Sequence, residues 1–134
     1  MFARHSHPAS AWSRWVTMPL VVAPFWFRRA EVTAVLAWFA VNPIMTPESA
    51  AQDSFARRAM LGEELWLADL ARDHSMRPLN AIGSVLLGAT IVAAWRRRKV
   101  PTVAGTAASM ALTLYGWRRH AAIYDSEQTC DAGT

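Results

Sequence analysis

The chain of 134 residues is poor in the residues that build familiar active sites or covalent cross-links. Cys130 is the only cysteine, so an internal disulfide is excluded. The sequence has no glycine-rich phosphate loop, no zinc-ligand spacing and no nucleophile elbow. We therefore predict no cofactor, and the absence of catalytic motifs argues against an enzyme.

Charge is missing from two stretches of equal length, residues 78–95 and 100–117, which flank the cationic run Arg96-Arg97-Arg98-Lys99. An uncharged apolar run of about 18 residues is close to the shortest that crosses a hydrocarbon core of about 30 Å. Because four cations inside a membrane would be prohibitively costly, the cationic run must be a turn at a membrane surface. The pattern predicts a membrane-spanning helical hairpin.

The rest of the chain extends this hairpin to an all-α, polytopic membrane domain that covers residues 1–134. A first spanning helix begins at Pro8, because proline suits the first helical position, and a shorter second one follows a tight turn. The central segment carries too many charges to span. At about 100° per residue its apolar side chains share one face, which predicts an amphipathic interfacial helix. The predicted elements are spans at 8–27, 31–46, 78–95 and 100–117 in two antiparallel hairpins, the interfacial helix at 53–73, and a disordered tail at 124–134.

The bulk composition agrees with a lipid environment, since 53% of the residues are hydrophobic and seven are tryptophan. The net charge of +4 comes from arginines at the ends of apolar segments. No basic stripe alternates with stacking aromatics, so we predict no nucleic acid partner. Residues 15–27 have the length of a signal-peptide core. The sequence Arg28-Arg29-Ala30-Glu31 follows them without a small-x-small cleavage site, so we expect this segment to be retained.

With four spans, the two basic turns, Arg28-Arg29 and the run at 96–99, lie on one side of the membrane. The N-terminus, the central helix and the tail lie on the other. The positive-inside rule gives most weight to short loops close to the spans. It predicts a multi-pass protein of the plasma membrane with cytoplasmic turns and both termini outside.

Polar residues gather on the side opposite the turns. Glu63 falls within the apolar sector of the central helix, where an unpaired carboxylate would cost several kcal/mol. Arg14 lies on the same side of the bundle, so we predict that the two residues pair. The pair is either a structural ion lock or part of a ligand site. The other predicted members of this polar group are Ser10, Ser13, Asn42 and Asn80.

Four histidines also come to this side, and histidines beside carboxylates are potential metal ligands. The chain has no His-x-x-x-His or Glu-x-x-His pair, so we predict no metal site. No histidine lies in the middle of a predicted span, which argues against haem ligation. The four residues are His5, His7, His74 and His120.

Small residues four positions apart occur in both helices of the final hairpin. These are Ser84 with Gly88 and Gly105 with Ser109. Small residues at this spacing let membrane helices approach closely. We predict that they form the packing faces of the hairpin.

Three short motifs resemble those of a domain-of-unknown-function family of small prokaryotic integral membrane proteins. They are His5-x-x-Pro8-x-Ser10-x-Trp12-x-Arg14, Asn42-Pro43 and Leu61-Gly62-Glu63-x-x-Trp66. The resemblance covers about the first two-thirds of the chain and includes the final hairpin only as a hydropathy pattern. It implies a membrane location and no particular chemistry.

Three functions are compatible with these features. The first, which we favour, is a non-enzymatic membrane protein that serves as an accessory, structural or assembly component. The second is a small carrier or channel formed by oligomerisation. The third is a metal-dependent membrane enzyme that uses the histidines and carboxylates. The expected partners are the lipid bilayer and either further copies of the chain or a larger membrane complex.

Overall fold

The computed structural model describes residues 7–28, 35, 37–38, 41, 54–71 and 73–131, and these ranges contain helices and turns but no strand. The fold class is therefore all-α, as predicted. Its helices are α1 (Pro8–Val16), α2 (Pro19–Phe27), α3 (Phe55–Ala68), α4 (Met76–Trp95) and α5 (Lys99–Asp131). Residues 35, 37–38 and 41 are helical, and the rest of the predicted second span lies outside the described residues.

The predicted first span, residues 8–27, is two helices instead of one. His7 caps α1, because its Nδ1 accepts a hydrogen bond from the Ala9 N–H (3.1 Å), and Pro8 follows at the first helical position. The helix breaks at Thr17 and Met18 because Pro19 has no N–H to donate to the carbonyl of the preceding turn. The Thr17 hydroxyl strengthens the break by donating to the Ser13 carbonyl (2.7 Å).

The central helix is shorter than the predicted 53–73, because the chain turns sharply after Ala68. Asp69 adopts an extended conformation, and its Oδ1 accepts a hydrogen bond from the Ala71 N–H (3.0 Å). The Trp66 indole N–H then donates to the Asp73 carbonyl (3.1 Å), which folds the connection back against α3.

The final hairpin is present, but α5 continues well beyond the predicted end of its span. It passes through most of the tail that was predicted to be disordered and ends at Asp131. The prediction failed because it judged the tail by its polarity alone. Local bonds support the helix there, including Thr129 Oγ1 to the Asp125 carbonyl (2.6 Å). Contact with α3 adds an ion pair between Arg58 and Asp125 (3.1 Å).

The core lies where α1, α3 and α5 meet. It consists of small residues around two large ones, and its buried members are Ala11, Ala56, Ala59, Met60, Trp117 and Ala121. In addition α2 packs on α4, and α4 packs on α5. The alanines allow the three helix axes to approach, while Trp117 and Met60 fill the remaining space.

Arg28 and the cationic run at 96–99 lie at one end of the bundle. Arg28, which follows α2, donates from Nη2 to the Trp95 carbonyl at the end of α4 (3.1 Å). Its guanidinium also lies 5.1 Å from the centre of the Trp95 ring, within the range of a cation–π interaction. The cationic run at 96–99 starts directly after Trp95. The helix α3 packs against the opposite part of α5, where Arg58 meets Asp125.

Among the described helices, α4 alone is long and apolar enough to cross a membrane, judged by length and composition. Only 11% of its most apolar window is buried inside the protein. The second half of the hairpin, residues 100–117, is equally free of charge. Its threonines, serine and glycines lower its hydropathy, and four spans remain a prediction.

The helices α3 and α5 approach each other closely at Gly62. A Cβ atom on Gly62 would overlap the backbone carbonyl of His120. Because that neighbour is backbone, it cannot move aside as a flexible side chain could. Only glycine fits at this position.

We expect Gly62→Ala to lower the free energy of unfolding by about 1–3 kcal/mol, since overpacking forces the two helices apart. Thermal unfolding in a mild detergent, followed by circular dichroism, measures the change. Gly88→Ala is the matched control, because no atom lies within 4 Å of its added methyl group. That variant should keep or slightly raise its stability through higher helix propensity. Equal losses in both variants would contradict the close crossing.

Candidate functional site: two cavities around Glu63

The approach of α3 to α5 determines where Glu63 lies. Gly62 is pressed against the carbonyl of His120, and Trp66 is buried with its ring centre 5.9 Å from the His120 ring. These two residues fix both the position and the rotation of α3. Glu63, which follows Gly62 directly, therefore points toward α1, α4 and α5 and lines two neighbouring cavities.

The first cavity, here called the Asn80 cavity, has a volume of about 280 Å³ and lies between Glu63, α4 and α5. Its polar lining combines a carboxylate, an amide, hydroxyl groups and an imidazole. The polar residues are Glu63, Asn80, Ser84, Ser109, Thr113 and His120, and the larger apolar ones are Met18, Leu79, Leu87, Leu112 and Trp117. Among the described residues of this lining, Glu63 alone carries a carboxylate, and none is a lysine or arginine.

The second cavity, here called the Arg14 cavity, has a volume of about 340 Å³ and lies between α1 and α3. Glu63 lines it together with Arg14, and Trp117 lines both cavities. The Nε of Arg14 donates to the Ser10 carbonyl one turn earlier (3.2 Å), so part of the guanidinium is held along its own helix. The structure thus brings Arg14 and Glu63, the two residues predicted to pair, to the same cavity.

Burial has the largest effect on the pKa of Glu63. It raises the pKa of the Glu63 carboxyl, and the charge of Arg14 opposes that shift without cancelling it. A tight ion pair would have the opposite net effect on the pKa. Arg14 therefore acts on Glu63 across the cavity as a partial counter-charge.

Two buried polar side chains line the Asn80 cavity without a hydrogen-bond partner among the described residues. Neither ring nitrogen of His120 has a partner, although this residue is only 6% exposed. The hydroxyl of Ser109, which is 4% exposed, likewise has none. Buried polar groups are nearly always satisfied, so these unpartnered atoms beside the cavity require an explanation.

An ion pair outside the cavities holds His120 in place. Arg119 donates to the Asp73 carboxylate (2.5 Å) and to the Ser75 hydroxyl (2.9 Å). Hydrogen bonds from Ser75 and Arg119 lower the pKa of Asp73 to about 2. Burial lowers the pKa of His120, against the opposing charge of Asp73, so its imidazole is neutral near pH 7.

The other predicted polar residues lie in different environments. Ser10 is buried, and its carbonyl accepts a hydrogen bond from the Ser13 hydroxyl within α1 (3.0 Å). Asn80 lines a cavity with Glu63, as its position at the same end of the bundle suggested. Asn42 lies outside the described residues.

The small residues of the hairpin contribute unequally to its packing. A Cβ on Gly105 would overlap the Thr90 hydroxyl, and Ser109 is buried, so α5 presents its small face to α4. On α4, however, Ser84 and Gly88 are exposed, and no atom lies within 4 Å of a Cβ on Gly88. On α4, Thr90 is the residue that packs against Gly105.

The histidines do not gather at one site. His7 is a helix cap, His74 is exposed in the connection before α4, and His120 is buried. His5 lies outside the described residues. Within the described ranges no group of three or more histidine, cysteine, aspartate or glutamate side chains could hold a metal ion. The role of His120 in the cavity was not foreseen, although its spacing from Trp117 and Ala121 continues the buried face of α5.

Comparison with protein-family models, with curated proteins and with solved structures finds no match for this chain. The resemblance to a family of small prokaryotic membrane proteins therefore rests on its motifs alone. The structure explains one of them physically. In Leu61-Gly62-Glu63-x-x-Trp66, the glycine permits the helix crossing, Glu63 lines the cavities and Trp66 covers His120.

We expect Glu63→Gln to stabilise the protein at pH 7, because burial penalises the charged carboxylate more than Arg14 compensates for it. A raised pKa means that this penalty is present above the pKa of the folded state and disappears as pH falls to the usual value of 4.5. Thermal unfolding of both forms between pH 4.5 and 8 should show curves that converge at the acid end. The exposed neighbour provides the control, since Glu64→Gln should follow the wild type. A wild type more stable than Glu63→Gln at pH 7 would restore the ion-lock interpretation.

Proposed function

We propose that this protein is a small, multi-pass integral membrane protein with a non-enzymatic role, an accessory or assembly component of the membrane. The observation that carries the proposal is the exposure of large apolar side chains on helical segments that carry no charge, residues 78–95 of α4 and 100–117 of α5 among them. On α4 these are Ile82 at 58%, Val85 at 72% and Val92 at 50% exposed. In water such a surface would be strongly unfavourable, whereas in lipid it is the expected outer face of a bundle.

The apolar surface continues onto the neighbouring helices. On α5, Val100 and Val103 are 80% and 69% exposed, and on α2, Leu20 and Phe27 are 49% and 61% exposed. All four lie in segments that the sequence predicts to span. The core helix of a water-soluble protein would bury such residues, so their exposure favours the membrane proposal.

The length of α5 fits a helix that leaves the membrane. Its 33 residues correspond to about 50 Å, well beyond a hydrocarbon core of about 30 Å. After the uncharged stretch 100–117, charged residues resume at Arg118, and α3 packs on this later part of the helix, where Arg58 meets Asp125. In the proposed arrangement α3 lies at the membrane surface, and its exposed Leu67 faces lipid head groups or a partner protein.

The proposed orientation places the basic turns in the cytoplasm and the tail outside. The contact between Arg28 and Trp95 supports a shared side for both turns. The ion pair between Arg58 and Asp125 supports placing α3 with the tail.

Washing membranes with alkaline carbonate tests the membrane proposal, and we expect the protein to stay in the pellet. Its release into the supernatant would overturn the proposal.

The orientation is tested with a maleimide that cannot cross membranes, applied to intact cells. Cys130 is exposed in α5 and should react from outside. A variant that carries Arg97→Cys together with Cys130→Ser should react only after the cells are permeabilised. The reverse pattern would invert the proposed topology without affecting the membrane proposal.

A further inference from the structure

We propose that the Asn80 cavity binds a primary ammonium group carried on a short carbon chain, held by Glu63, Asn80, Ser109 and His120. This goes beyond the proposed function, which assigns no ligand. It rests on the geometry of the cavity and not on the orientation of the protein in a membrane.

The charge of the lining selects a cation. Among the described residues that line this cavity, Glu63 is the only acidic side chain and no lysine or arginine is present, while Arg14 lines the adjoining cavity. An anion would face the Glu63 carboxylate without any opposing lysine or arginine. A cation would instead be attracted by the negative charge of Glu63, which Arg14 balances only in part.

The hydrogen-bonding groups select a cation with N–H donors. An ammonium group has three donors and no acceptor. The cavity offers the Glu63 carboxylate, the Asn80 amide oxygen, the Ser109 hydroxyl and an unprotonated nitrogen of His120. The last two are buried and lack partners among the described residues, so a bound ammonium would satisfy the Ser109 oxygen and one of the two His120 nitrogens.

The hydroxyls of Thr113 and Ser84 already donate hydrogen bonds to backbone carbonyls of their own helices, which leaves fewer groups in the cavity for a ligand. Thr113 donates to the Ser109 carbonyl (2.9 Å), and Ser84 donates to the Asn80 carbonyl (3.0 Å). Ser109 itself is left with its hydroxyl in the cavity. A metal ion is a poorer fit, because Glu63 and His120 are only two strong ligands and the described residues supply no third.

The size and the apolar lining limit the rest of the ligand. A volume of about 280 Å³ lies at the small end of ligand sites. Leucine side chains and Trp117 would contact a short carbon chain, and an indole ring is favourable near a cation. A free alkylamine and the ethanolamine head group of a phospholipid share this chemistry.

Isothermal titration of the detergent-purified full chain with n-butylammonium tests the proposal. We expect saturable binding that n-butanol, the neutral analogue, and tetramethylammonium, which has no N–H donor, do not reproduce. Glu63→Gln should weaken binding at least 10-fold. Ser109→Ala should weaken it about 2- to 12-fold, the range for one hydrogen bond. Glu64→Gln, the exposed neighbour on the same helix, should bind like the wild type.

The outcomes that overturn the proposal are distinct. Absence of binding by folded wild type, equal binding of n-butanol, or unchanged binding by Glu63→Gln would each do so. Circular dichroism of each variant confirms folding.

A short-chain phosphatidylethanolamine that binds more than 10-fold tighter than n-butylammonium, with phosphatidylcholine inactive, would identify a lipid head group as the source. Equal affinities would identify a free amine. Neither membrane extraction nor topology enters this measurement, so its failure would leave the proposed function intact.

Discussion

The structure depends on one backbone contact, the approach of Gly62 to the carbonyl of His120. A helix that carries a side chain at this point could not come so close to α5. The contact determines the rotation of α3, which in turn buries Trp66 over His120 and directs Glu63 toward the cavities. The small core residues around it, such as Ala59 and Ala121, serve the same close packing.

Two opposing effects act on the Glu63 carboxylate, the cost of its burial and the positive charge of Arg14. Glu63 is shielded from water on a helix whose other inward residues are apolar or small. Arg14 opposes its negative charge from α1 but does not outweigh the cost of burial. Beside it, buried polar atoms of His120 and Ser109 have no protein partner in the described part of the chain. Stable proteins tolerate such groups mainly where they serve binding or chemistry. These atoms are the basis of the proposed ammonium site.

Much of this arrangement could be predicted from the sequence, and the reasons for the rest are physical. The all-α class and the hairpin around residues 96–99 followed from the distribution of charge alone. The inward position of Glu63 followed from helical periodicity. The continuation of α5 to Asp131 did not, because it depends on tertiary contact with α3. A proline at position 19 predicts a kink, but not that the segment divides into two helices.

The residues that line the cavities could also be predicted only in part. The sequence predicts Arg14, Glu63 and Asn80 at the same end of the bundle, and in the structure Glu63 lines one cavity with Arg14 and another with Asn80. His120 was predicted to lie on that side too, but nothing local indicates that Trp66 covers it. The unequal packing of Gly88 and Gly105 likewise depends on how two helices rotate against each other. Such rotation is a property of the assembled bundle.

The most direct test of this account is a cross-link between α3 and the far part of α5 in native membranes. Cysteines at Arg58 and Asp125, whose side chains lie 3.1 Å apart, would be joined by a short bis-maleimide in a Cys130→Ser background. The account predicts efficient intramolecular cross-linking of this pair. It predicts none for a control pair at Arg58 and Arg97, which lie at opposite ends of the bundle. Cross-linking of the control pair, or none for Arg58 and Asp125, would contradict the docking of α3 on which the site depends.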